Sequence, residues 1–285
     1  MRWQGGKQSG NIEDRRGLGP VGAVGGLGAV GVIAVLVGVF VFGADPNEMI
    51  SAVTGAGGVA GRQEAVRGAP TDEAGRFVGA VETSTSTVWT DLFRQSGTTY
   101  TPTAGIVLYD QVTPTGCGAG QAAMGPFYCP GDHKVYLDLA FWNELESRFG
   151  ARGDFARAYV IAHEIGHHVQ FLRGELDDGT GARASMGDGA GQVRVELQAD
   201  CYAGVWAART GAATAGEVDL EAGDIEEGLA AASSVGDDTI QRKTQGRVVP
   251  DAFTHGTSDQ RMRWFKRGYD SGDPGQCDTF RAPVL

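Results

Sequence analysis

The stretch AYVIAHEIGHHVQF (158–171) holds the side chains best placed for chemistry: His163, Glu164 and His167 in an HExxH pattern. Residues four apart on an α-helix share one face, so the two imidazoles can grip a single Zn²⁺ at about 2.0–2.1 Å. Glu164, one position on, is angled away from being a ligand but lies close enough to reach a water on the metal. There it would act as the general base that takes the water's proton. Gly166 omits a side chain where another backbone or a substrate could approach.

Two histidines need a third protein ligand. A pattern extended by a glycine at position 170 and a histidine at 173 would supply one, but this chain has Gln170 and Arg173, which excludes that class. The segment VRVELQADCYAGVWA (193–207) offers Glu196 and Asp200, again four apart. Glu196 can complete a His₂Glu site. Asp200 can accept the far N–H of a ligand histidine and so fix its tautomer. A solvated acid pair would be the ordinary reading, but Val195, Leu197, Ala199, Tyr202 and Trp206 give the segment a buried character.

Three histidines remain. His168 sits about 140° round the helix from His163, too far to join the same metal, and reads as a packing or hydrogen-bonding residue. His255, in THGTS, is a candidate donor to the oxyanion of a tetrahedral intermediate, with a loop-ordering hydrogen bond as the alternative and Arg261 or Arg263 next in line. His133 precedes HKVYLD, the candidate strand for holding substrate by β-pairing.

The elements that must position these groups are legible in outline. A helical period starts at Thr71 and Asp72, which can cap it, and runs through Phe77, Val81, Val88, Leu92 and Phe93. GIVLYD (105–110) and HKVYLDL (133–139) read as strands, and 141–149 as a short helix. Asp154 is expected to cap the motif helix, which Gly174 ends. A polar, Gly-rich insertion covers 174–191. Helices are expected over about 193–209 and within 217–240, while the tail 250–285 shows no period. Helices dominate and strands are few, so residues 71–285 read as one α+β domain.

Ahead of that domain lie a charged segment (1–19), an uncharged apolar run (20–44) and a Gly-rich tether (45–70). The run is longer than a signal peptide's apolar core and lacks its small-residue cleavage site, so a transmembrane helix is expected. Arg2, Lys7, Arg15 and Arg16 precede it, giving residues 1–19 a balance of +2. The positive-inside rule then places the N-terminus in the cytoplasm and the domain outside. With a total of −11, residues 44–285 carry −13, which gives no electrostatic reason to bind nucleic acid. All four cysteines follow the run, and an even count outside the cytoplasm favours two disulfides. Three pairings are possible. The short loop favours Cys117 with Cys129, leaving Cys201 with Cys277.

HEIGHHVQ, then RVELQADCYAGVWA, FTHGTSDQRMRWF (253–265) and CDTF near the end together resemble the bacterial neutral zinc metallopeptidase family over roughly residues 71–285. The resemblance implies a zincin-like, gluzincin-type domain behind an N-terminal membrane anchor. It also implies Zn²⁺ on His163, His167 and Glu196, with Glu164 as base. The expected function is a membrane-anchored, extracytoplasmic zinc peptidase acting on protein or peptide substrates. The alternative is a non-catalytic zinc-binding scaffold of the cell envelope.

Overall fold

The computed structural model describes residues 1–18, 65–122, 125–176 and 189–285. Its strands are β1 (Ile12–Asp14), β2 (Val66–Arg67), β3 (Gly105–Tyr109), β4 (Val112–Thr115), β5 (Gly118–Gln121), β6 (Phe127–Cys129) and β7 (Lys134–Asp138). Seven α-helices complete the described residues: α1 (Glu73–Gln95), α2 (Phe141–Ser147), α3 (Asp154–Leu172), α4 (Gly189–Ala213), α5 (Asp224–Ser234), α6 (Asp237–Gln245) and α7 (Ser258–Ser271). The architecture is α+β. Five strands form a mixed sheet in the order β2-β1-β3-β7-β6, with β1, β3 and β7 parallel, and β4 and β5 pair as a separate hairpin.

The two-residue period of β3 requires a cover on each face of the sheet. Ile106 and Leu108 enter the main core with the helices, whereas Val107 and Tyr109 join Cys129 and Tyr136 in a second, smaller core. Phe127 stacks on Tyr136 at 5.0 Å, and a disulfide joins Cys129 to Cys117 beside this core.

Residues 1–18 belong to this fold. Ile12 is buried and pairs in parallel with Ile106, while Asp14 pairs with Val66, so β1 lies inside the sheet between β3 and β2. Trp3 packs edge-on against Phe77 at 5.2 Å and donates its Nε1–H to Asp154 at 3.0 Å. The Met1 ammonium pairs with Asp224 at 2.9 Å; burial opposes its charge, but Asp224 and Glu221 more than offset that and raise its pKa. Residues 1–18 are therefore part of the domain's sheet and core rather than a segment set apart from it. A strand cannot stand across a bilayer from the strand it pairs with, and residues 14 and 66 lie side by side at one end of the antiparallel pair β1–β2. The apolar run 20–44, the tether over 45–64 and the insertion over 177–188 lie outside the described residues. Among the described residues no helix is long and apolar enough to cross a membrane.

Other expectations shift in detail. Asp72 caps α1 by accepting from Gly75 N–H. Asp154 does not cap α3: Gly153 is the N-cap, and Asp154 is bound to Trp3 instead. The helix at α4 runs on through Gly211 to Ala213. The tail without a period contains α7, opened by a capping box in which Thr257 and Gln260 bond reciprocally. The strand β7 is paired on both sides, by β3 and β6, so it cannot receive a substrate strand; β6 is the edge on that side.

If residues 1–18 are integral to the core, Trp3→Ala should lower the unfolding free energy by about 3–5 kcal/mol, as for other buried aromatics. Urea denaturation measures this. A loss within about 0.5 kcal/mol, the range of surface substitutions, would contradict the assignment.

Candidate metal centre

His163 and His167 stand one turn apart on α3, with ring centroids 4.8 Å apart. Both direct Nε2 at Glu196 Oε2 from α4, at 3.2 Å and 3.7 Å. One ligand atom from each of the three residues lies within 4.8 Å of the others. Tetrahedral zinc with ligands at about 2.0–2.1 Å sets ligand atoms about 3.3 Å apart, so the two measured distances and the donor set fit this ion. Glu164 is buried on the same helix, close enough to His167 to favour its charged form.

The approach of α4 to α3 depends on Gly166. A Cβ there would lie 3.1 Å from the carbonyl oxygen of Ala199 and 3.3 Å from its Cα. Another backbone, rather than a substrate, takes the space that this glycine frees.

His163 is oriented by Asp200, whose carboxylate is fully buried. Its oxygens accept from His163 Nδ1 at 2.9 Å, Tyr159 Oη at 2.5 Å, and Arg261 Nε and Nη2 at 2.8 Å each. A carboxylate can only accept, so the His163 proton sits on Nδ1 and Nε2 faces the metal position. Burial would raise the Asp200 pKa, but Arg261 and His163 outweigh it and hold the group ionised. Burial likewise works against charge on His163, yet Asp200 and Glu196 push its pKa up to about 10. Glu196 is held well below the usual carboxylate range, the two histidines overcoming its burial.

Several sequence readings change here. Arg261 is buried on Asp200 and so is not an oxyanion donor; Arg263 donates to the Leu285 carbonyl. His168 donates Nε2–H to the Thr101 carbonyl at 2.8 Å and meets Tyr128 Oη through Nδ1 at 3.0 Å, tying α3 to β6. His133 lies 4.5 Å from Phe171, ring to ring, away from the three ligands' contacts. His255 faces Asp237 Oδ1 through Nδ1 at 3.3 Å, and Asp237 Oδ2 accepts the backbone N–H groups of Thr254, His255 and Gly256. This orders the loop. Gly256 in turn packs against Val193 and Leu197, which flank Glu196 on α4. The His255 side chain is 45% exposed, leaving it accessible beside the third ligand's helix.

The sequence reading missed Tyr159 and Gln170 and gave Arg261 the wrong task. Tyr159 is four residues before His163 and so shares its face, a signal the spacing carried. The second disulfide joins Cys201, next to Asp200, to Cys277.

Comparison with known proteins gives the chain's family. The family described as "Putative neutral zinc metallopeptidase" matches residues 1–280, taking in the N-terminal segment as well as the domain. The chain belongs to that family. It is 46% identical to the Escherichia coli K12 protein "Uncharacterized protein YpfJ" over 98% of this chain and 99% of the relative. It is also 47% identical to "Uncharacterized protein Rv2575" of Mycobacterium tuberculosis H37Rv over 62% of each. No solved structure matches the chain.

Zinc is held by a neutral imidazole, whereas Asp200 and Glu196 together favour the protonated form of His163. Zinc uptake should therefore release protons, and zinc affinity should rise with pH up to about 10, where His163 loses its extra proton unaided. Calorimetry in buffers of different ionisation enthalpy reads the release directly. Uptake without proton release would contradict the arrangement.

Proposed function

We propose that this chain is a zinc-dependent peptidase that hydrolyses peptide bonds in protein or peptide substrates outside the cytoplasm. The observation that carries the reading is Glu164, a buried acid kept beside a complete His₂Glu set. A zinc scaffold would need the three ligands and has no use for a base. Zinc, when bound, supplies Lewis-acid polarisation of the scissile carbonyl and makes the attacking water more acidic. His163, His167 and Glu196 would hold it. Glu164 takes the proton of the attacking water and returns it to the leaving amine. His255, steadied through Nδ1 by Asp237, can offer Nε2–H to the oxyanion. A substrate strand would pair with β6, the edge of the sheet beside α3.

Two disulfides support a compartment outside the cytoplasm. The length of the apolar run 20–44 supports attachment to the membrane. Since residues 1–18 share the domain's sheet, we place them on the domain's side of the membrane.

Glu164→Gln should keep zinc while peptide hydrolysis falls about 10²–10⁴-fold, because the amide matches the shape but cannot take the proton. Metal content together with casein hydrolysis measures both. A wild-type chain that binds zinc and cleaves nothing would favour the scaffold.

His255→Ala should leave zinc content unchanged and lower kcat about 10²–10³-fold. A kcat within a few-fold of wild type would make His255 purely a loop-ordering residue.

A further inference from the structure

His167 is held by a different device from His163. Its Nδ1 lies 2.8 Å from Gln170 Oε1. Gln170 is fully buried and commits Nε2 to two acceptors, the Val195 carbonyl and Gln198 Oε1, each at 2.8 Å. Gln198, also buried, gives its own Nε2–H to the Cys277 carbonyl at 3.1 Å.

The direction of a side-chain amide is set by its partners, and two of these partners are main-chain carbonyls that can only accept. The Cys277 carbonyl turns the Gln198 nitrogen outward, leaving its oxygen for Gln170. That oxygen and the Val195 carbonyl then claim the Gln170 nitrogen, so the Gln170 oxygen must face His167. Only a proton on Nδ1 satisfies it.

We infer that Gln170 and Gln198 form a one-way amide relay that fixes the Nδ1–H tautomer of His167, so that the ring presents Nε2 to zinc. The inference rests on the zinc-centre reading above. Gln198 is a positioning residue that touches no ligand and acts through Gln170. A neutral imidazole otherwise divides between two tautomers, and the Nε2–H form cannot ligate through Nε2. Loss of such an orienting partner typically costs about 10–100-fold in metal affinity.

The test titrates the full chain, in detergent and stripped of metal, with zinc against a chromophoric chelator. Wild type should take one zinc, and Gln170→Met should bind it about 10–100-fold more weakly. Gln198→Met should weaken binding by less. The double variant should bind no more weakly than Gln170→Met alone, because a residue acting through another adds nothing once that other is gone. In the zinc-loaded wild type, ¹⁵N-histidine NMR should show an exchange-protected Nδ1–H on His167, and Gln198→Met should speed its exchange. A role in core packing alone would lower the melting temperature of the metal-free protein and give additive losses. Additive losses, a Gln170→Met affinity within about threefold of wild type, or zinc on His167 Nδ1 would overturn the relay. A wild-type chain that takes no zinc would instead overturn the peptidase reading, and the relay with it. Should Gln170→Met fail to fold, Gln198→Met and the wild-type NMR signal decide the matter.

Discussion

Asp200 is a carboxylate with no access to water, and the helical half of the molecule is arranged so that it can exist there. A buried charge stripped of its partner costs about 3–5 kcal/mol, so Asp200 tolerates its position only with Arg261, Tyr159 and His163 all in place. Those partners come from two other helices: Tyr159 and His163 from α3, Arg261 from α7. None of the three helices can shift away from the others without exposing an unmet charge. Close contact makes this possible. A Cβ at Gly204 would sit 2.0 Å from the Phe265 carbonyl oxygen, and one at Gly268 would sit 1.9 Å from that of Cys201. With no side chains at either place, α4 and α7 meet backbone to backbone, near enough for Nε and Nη2 of Arg261 to reach Asp200.

The part of this arrangement that obeys the helical period was legible in the sequence. His163 with His167, and Glu196 with Asp200, are four apart, and the structure brings His163, His167 and Glu196 to one point with Asp200 behind. What the sequence hid is non-local. The helix α7 has only a few apolar residues on its buried face, among them Trp264 and Phe265, and part of that face is Arg261, a charged side chain that no hydropathy pattern marks as interior. Its start was nonetheless written in Thr257 and Gln260, whose spacing is that of a capping box. The N-terminal segment misled for a related reason. Arg15 and Arg16 look like the positive flank of a membrane span, yet they are paired with Glu13 and Asp14 at 2.8 Å and 2.5 Å beside the strand. Ile12 is buried only because β3 lies beside it, and no local window contains both.

The helix α4 carries most of what the centre needs. Glu196 points to the metal position, Asp200 orients His163, and Gln198 directs the amide of Gln170. The neighbour of Asp200, Cys201, is bonded to Cys277, whose carbonyl ends the amide chain. The supports of both histidines thus meet at one covalent link between α4 and the C-terminal tail. Reading the chain locally would assign Cys277 to a distant end, although its backbone is three hydrogen bonds from a ligand.

The two supports also differ in charge, and that difference bears on chemistry. A centre in which each histidine leaned on a bare carboxylate would gather four negative groups around one dication. Here the charge of Asp200 is cancelled by Arg261, and the support behind His167 is neutral throughout. The acids left facing the metal position are Glu196, on the two histidines, and Glu164 beside them. Under the proposed function Glu196 would bind the metal and Glu164 would accept the proton of the attacking water. A metal surrounded by more anions would polarise a carbonyl less, because ligand charge neutralises the cation that draws electrons from it. Orienting both histidines at no net cost in charge would leave a bound zinc facing one anionic ligand, Glu196, rather than several.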